Sequence, residues 1–277
     1  MSKLDIPAPA DHPFRIQPGT TVDLNEVPTR HETLFPMEKS EGKELFDDLE
    51  DEIDDLQTRL YAEDKHKLLV VMQAMDTGGK DGTIRDVFDK MDPQGIRVAS
   101  FKRPSKKELA HDYLWRVHKQ TPATGQTVIF NRSHYEDIVA VRVREIFPES
   151  RWSKRYEHIV NFEKLLADEG TTILKIFLHI SMDEQKERLQ ARLDEPGKNW
   201  KFNPGDLDDR ALWPKFMEAY SDVLSRTSTD HAPWYVIPAD RKWYRNLAIA
   251  QILIGTLREL NMQYPPVDFD PKAIVID

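Results

Sequence analysis

The chain contains no cysteine. Disulfides, thiolate nucleophiles, iron–sulfur clusters and cysteine-ligated zinc are therefore excluded from its chemistry. Long apolar runs are missing too: none approaches the roughly 20 residues that a membrane-spanning helix needs. Met1 to Ala10 lack the apolar core of a secretory signal, and a cytoplasmic location is the expectation. The 9 histidines are scattered and none forms a His-Glu-x-x-His pair, so zinc hydrolysis is not expected. Ser133 lacks a Gly-x-Ser-x-Gly elbow, which argues against acyl transfer. What is present is a globular composition, 39% hydrophobic and 31% charged over 277 residues, enough for a sizeable core.

The net charge of −9 reads at first as an argument against polyanionic ligands. Between Glu41 and Asp64, however, eleven acids stand against two bases, so this segment carries the whole formal charge and the remainder is neutral. Leu45, Phe46, Leu49, Ile53, Leu56 and Leu60 recur there in steps of three and four. The segment is predicted to be one amphipathic helix over Lys39–Tyr61, its acids on a solvated face or at a subunit contact.

Residues 1–36 hold six prolines and little periodicity and read as an extended arm laid over the surface. Residues 37–277 read as a single domain. Apolar runs at Leu68–Met75, Ile96–Phe101, Thr127–Asn131, Thr172–Ile180 and Trp234–Ile237 alternate with helical patterns. Those patterns cover Lys80–Lys90, Ser105–His118, Tyr135–Ile146, Ser153–Glu169, Met182–Leu193, Leu207–Arg226 and Lys242–Leu260. The alternation predicts an α/β fold: a mostly parallel five-stranded sheet with helices on both faces.

The most informative stretch is Gln73-Ala-Met-Asp-Thr-Gly-Gly-Lys-Asp-Gly-Thr-Ile84, which follows a buried strand and opens a helix. Thr77, Gly78, Gly79, Lys80, Asp81, Gly82 and Thr83 form a candidate phosphate cradle of backbone N–H groups, a helix N-terminus and one lysine. The general P-loop pattern asks for glycine at 74 and serine or threonine at 81, where this chain has Ala74 and Asp81. Without the hydroxyl, Asp76 becomes the candidate to hold a divalent cation, because a carboxylate among phosphates needs a cation between them. After the third strand comes Phe130-Asn-Arg-Ser-His-Tyr-Glu-Asp137, where Arg132 is placed to bind phosphate oxygens with its planar fork. In a third cluster, Arg188 and Arg192 share a helical face and Lys198 and Lys201 continue into a loop. Together they predict a lid over about 186–210. Lys102 and Arg103 form another basic run on the same edge of the sheet.

These blocks, with Trp200-Lys-Phe-Asn-Pro-Gly-Asp-Leu207 and Ala232-Pro-Trp-Tyr-Val-Ile-Pro-Ala-Asp-Arg-Lys-Trp-Tyr-Arg245, resemble the polyphosphate kinase 2 family from about Arg15 to the C-terminus. Ala74 and Asp81 are normal for that family. The resemblance implies a three-layer, thymidylate-kinase-like P-loop fold with a helical lid, and phosphoryl transfer from inorganic polyphosphate to a nucleotide. It also implies Mg²⁺, with Mn²⁺ as a substitute. By position, Asp76, Lys80 and Arg132 match the catalytic residues, and Arg188, Arg192, Lys198 and Lys201 fall in the lid that holds polyphosphate. Lys102, Arg103, Asn131, Arg132 and Glu136 are the candidate nucleotide contacts, and Asp76 and Glu136 the candidate metal ligands. Asn131 and Glu136 depart from many members but occur in the subclass acting on both AMP and ADP, with guanine nucleotides as further acceptors to test. A homo-oligomer, dimer or tetramer, is implied, with neither nucleic acid nor membrane as partner. Two other readings stay open from the residues: an ATP-dependent nucleoside monophosphate kinase, and a non-catalytic protein binding polyphosphate or nucleic acid.

Overall fold

The computed structural model describes residues 5–276. A two-residue strand β1 (Arg15–Ile16) precedes helix α1 (Lys39–Glu63), and strand β2 (Lys67–Ala74) leads through a loop into α2 (Lys80–Val87). Strand β3 (Ile96–Ser100) is followed by two one-turn helices, α3 (Lys106–Leu109) and α4 (Trp115–His118). Strand β4 (Thr127–Asn131) feeds α5 (Glu136–Val143), α6 (Glu149–Trp152) and α7 (Arg155–Asp168). After β5 (Thr171–His179) come α8 (Met182–Asp194), a 3-10 turn (Pro196–Lys201), α9 (Gly205–Ala211) and α10 (Trp213–Thr227). Strand β6 (Trp234–Pro238) and α11 (Lys242–Glu259) follow.

The strands form one sheet in the order β1-β6-β5-β2-β4-β3. All pairings among β2 to β6 are parallel, and only β1 is antiparallel, to β6. From β2 the chain crosses to one side for β3 and β4, then to the other for β5 and β6. With right-handed crossovers this reversal puts helices on opposite faces and opens a crevice at the carboxyl ends beside β2. The helices pack accordingly in two groups, α11 with α1 and α2, and α10 with α5 and α7. Covered on both sides, β2 is fully buried from Leu68 to Met72, which is why it reads as an apolar run instead of an alternation.

The sheet has six strands, one more than the sequence patterns predict. The extra strand is Arg15–Ile16, paired with Tyr235 and Trp234. Two residues are too few to show a period of two, and their partners lie more than two hundred residues away. The arm buries Phe14, Val22, Leu24 and Phe35. The backbone N–H groups of Val22 and Leu24 donate to Ser225 and Ser221 of α10 at 2.8 and 3.0 Å.

Two expected helices are broken. Over Ser105–His118, Ser105 caps α3 in a box with Glu108, but Asp112 then accepts from the N–H groups of Leu114 and Trp115 and starts a fresh turn. Over Leu207–Arg226 the chain breaks at Leu212, and Pro214 stands in the first turn of α10, where its missing N–H costs nothing. Helix α1 lays Leu49, Ile53, Leu56 and Leu60 against the body and packs on α11, with Gly42 against Trp243. Its acids face solvent or surface cations, as in Asp51–Lys90 and Glu52–Arg258, both 2.6 Å.

Phe35 is 2% exposed, its ring 4.9 Å from that of Tyr244. Phe35→Ala is expected to lower the unfolding free energy by about 3–5 kcal/mol in urea titration. A loss below about 1 kcal/mol would mean that the arm unfolds apart from the sheet.

Candidate active site

The site begins where β2 ends. Between Ala74 and Lys80 the chain makes a tight turn in which the N–H of Gly78 donates to Met75 O at 2.9 Å. A Cβ on Gly78 would stand 2.5 Å from the Ala74 methyl and 2.8 Å from Met75 O, so only glycine fits. Ala74 is therefore tolerated because Gly78 has no side chain. Gly79, at φ +100°, caps α2, and Thr77 is also left-handed at φ +60°. Such alternation turns backbone N–H groups into an anion-binding concavity at a helix N-terminus. The loop is held from behind by α8: Gln185 donates to Asp76 O at 2.9 Å and Arg188 to Thr77 O at 3.1 Å.

Lys80 is buried, its Nζ donating to Ala74 O at 2.9 Å and Met75 O at 3.4 Å. Burial draws its pKa below the ordinary lysine value, while Asp76 acts to keep the proton on. Burial alone would raise the Asp76 pKa, but Lys80 and Arg132 outweigh it and hold the carboxyl below the usual range. Arg132 donates to Asp76 Oδ1 at 3.1 Å. For Glu136 burial wins: its pKa is pushed up despite Arg132 and Lys80. Gln73, in the amide orientation that satisfies both its ends, donates to Glu136 at 3.1 Å and accepts from Ser133.

Asn131, at the end of β4, and Asp81, in place of the loop's usual hydroxyl residue, meet. Asn131 Nδ2 donates to Asp81 Oδ1 at 2.6 Å, bridging the carboxyl end of β4 to the first turn of α2. The next residue, Arg132, is left-handed at φ +61°.

Asp76, Lys80, Arg132 and Glu136 line one cavity of about 760 Å³, with Lys102 and Arg103 on its wall. Its lining also includes the apolar side chains Phe101, Leu109, Val141 and Phe147. No residue of α1 borders it. Arg188, Arg192, Lys198 and Lys201 do not line it either. Arg188 spends its guanidinium on Glu184 and on the carbonyls of Thr77 and Ala239. Arg192 meets Lys201 O at 3.0 Å and Asp206 at 3.1 Å, Lys198 pairs with Glu195, and Lys201 lies over the Trp200 ring.

Three residues of the site carried no signal in the spacing of motifs. Asp209 of α9 lines the cavity; burial and the neighbouring Asp76 carboxyl push its pKa to about 6, with Arg144 opposing. Arg144, also in the wall, pairs with Asp209. Arg245 is buried against Gly79, and burial together with nearby Arg188 lowers its pKa to about 10. Asp209 and Arg245 do stand just after, or at the end of, the third and fourth sequence blocks, but neither block assigns them a contact.

Among the described residues, no three His, Asp or Glu side chains form a ready-made metal cage. Asp76, Glu136 and Asp209 instead offer carboxylate oxygens to a cavity that also holds Lys80, Lys102, Arg103, Arg132 and Arg144. Mg²⁺ is commonly held by one or two carboxylates together with substrate phosphates. The donor set fits a hard divalent ion shared with a phosphate ligand.

The model of the family described as polyphosphate kinase 2 matches residues 36–265. An AMP/ADP-polyphosphate phosphotransferase of Meiothermus ruber is 54% identical over 264 residues, covering 95% of this chain and 99% of that one. An ADP-polyphosphate phosphotransferase of Rhodopseudomonas palustris is 44% identical, covering 91% of each. Among solved structures, polyphosphate kinase 2 from Arthrobacter aurescens TC1 superposes with a TM-score of 0.91 at 42% identity, covering 97% of this chain and 95% of that one. Phosphate loop, parallel sheet and full-length likeness agree, and the chain belongs to the polyphosphate kinase 2 family.

Proposed function

We propose that this protein transfers the terminal phosphoryl group of inorganic polyphosphate to AMP and to ADP, reversibly and with Mg²⁺, for which Mn²⁺ substitutes. The observation that carries this reading is the cavity itself. A buried lysine, a left-handed arginine and two carboxylates converge at the carboxyl ends of β2 and β4, in a cavity whose lining also offers apolar side chains such as Phe101, Leu109 and Phe147. The relatives named for AMP/ADP and polyphosphate support the choice of donor and acceptor.

In the reaction, an oxygen of the acceptor's phosphate attacks the terminal phosphorus of the chain. The bond from that phosphorus to its bridging oxygen breaks, and the electron pair leaves on the shortened polyphosphate. The second pKa of a phosphate monoester is about 6, so the acceptor is ionised at neutral pH and no strong general base is needed. Catalysis then rests on positioning and charge neutralisation. Lys80 and Arg132 would stabilise charge on the transferred group, while Asp76 and Glu136 would hold the ion. When bound, Mg²⁺ would neutralise phosphate oxygens. Residues 186–210 would act as a lid that excludes water, Arg188 and Gln185 coupling its helix to the loop. A cytoplasmic homo-oligomer, dimer or tetramer, completes the reading; the exposed Val267, Phe269, Val275 and Ile276 support a subunit contact.

Lys80→Ala and Asp76→Asn are each expected to lower polyphosphate-driven ATP formation by about 10²–10³-fold while leaving the circular dichroism spectrum unchanged. Near-normal turnover in either folded variant would remove that residue from the mechanism. A second expectation concerns Asp209. Its pKa of about 6 in the folded chain lies above the ordinary carboxyl value. Its stabilising contribution is therefore present below about pH 4 and is lost as pH rises through about 6. Asp209→Asn should melt higher than the unsubstituted protein at pH 7, the advantage shrinking towards pH 4. A Tm difference independent of pH would show that Asp209 and Asp76 do not share a proton.

A further inference from the structure

On the face of the sheet covered by α5, α7 and α10, but outside the cavity lining, the core holds an ion pair. Lys175 of β5 and Glu163 of α7 are both 0% exposed, with Nζ 2.6 Å from Oε2. Lys175 also donates to Tyr135 Oη at 2.9 Å and to Thr227 O at 2.7 Å, so its three donors are used. The other carboxylate oxygen of Glu163 accepts from Tyr135 Oη at 2.8 Å and lies 3.1 Å from His134 Nε2. A carboxylate can only accept, so Nε2 carries the proton. Burial works against both charges, yet Lys175 and His134 hold Glu163 below the usual carboxyl range.

Stability does not account for such a group. A buried ion pair can often be replaced by apolar side chains of similar volume without loss. Its partners point to another purpose. His134 and Tyr135 are the second and third residues after Arg132, and both side chains end on the same oxygen of Glu163. On the other side of Arg132, β4 is fully buried at Phe130 and laddered to β2 and β3. Arg132 thus sits between two anchored ends, in a left-handed conformation that a non-glycine residue keeps only when its surroundings over-determine it.

We infer that Glu163, braced by Lys175, is a positioning residue for Arg132: its grip on His134 and Tyr135 sets the turn that aims the guanidinium at the transferred phosphoryl group. The inference rests on the role of Arg132 proposed above, and it makes a buried residue on α7, outside the cavity lining, control kcat.

The test is a double-mutant cycle. Glu163→Gln is expected to lower kcat by about 10- to 100-fold, the cost of a misplaced catalytic group, with KM for AMP little changed. In an Arg132→Ala background the same substitution should change kcat by less than about twofold, because the residue it positions is gone. An equal factor in both backgrounds would mean a general structural role and overturn the inference. The pair Glu163→Leu with Lys175→Met leaves no unpaired charge, although His134, Tyr135 and Thr227 lose their partners; with an unchanged circular dichroism spectrum it should still show the lowered kcat, and it closes the cycle if the single variant does not fold. Parental turnover in that pair would also overturn the inference. Undiminished turnover in Arg132→Ala alone would instead refute the role of Arg132, and the positioning claim with it.

Discussion

A lysine buried beside the end of a buried strand is the constraint on which the rest of the structure depends. Lys80 gives its protons to two backbone carbonyls and lies near Asp76, Glu136 and Arg132. Burial works against that charge, and nearby carboxylates are what retain it. Their own repulsion is offset by Arg132 and Arg144. The result is a cavity wall that sets carboxylates among lysine and arginine side chains, held by two strand ends and by α8. Charges fixed in place before a ligand arrives do most for catalysis.

The overall charge of −9 has a different meaning in three dimensions. The acidic helix α1 packs its apolar stripe on α11 and keeps its acids on the outside, where Lys90 and Arg258 meet some of them. None of its residues borders the cavity. Acidic back and basic mouth are segregated, so net charge says little about whether a polyanion can bind.

Much of the fold was legible because β2 is covered on both faces and its glycine-rich turn must precede a helix. The five parallel strands follow from that kind of pattern. What stayed hidden is what depends on distant partners. Strand β1 exists only through its pairing with Tyr235 and Trp234. Ala74 looked like a defect in the phosphate loop until Gly78 was seen to make room for it, and Asp81 until Asn131 was seen to bond it. Asp209 and Arg144 enter the site only because α9 and the end of α5 come together. The cations of α8 and the following turn were read as facing phosphate. Arg188 instead bonds the loop's own backbone, and the others engage neighbours within residues 192–206. Spacing on a helix tells which residues share a face, but not what that face meets.

The central claim is that the buried cation and its carboxylates serve transfer from polyphosphate to a nucleotide. The most direct measurement supplies the protein with polyphosphate, Mg²⁺ and either AMP or ADP, in the absence of ATP, and follows ATP over time. The account predicts ATP from both acceptors, with ADP appearing first when AMP is supplied. No ATP from either acceptor, or transfer to AMP only when ATP replaces polyphosphate as donor, would contradict it.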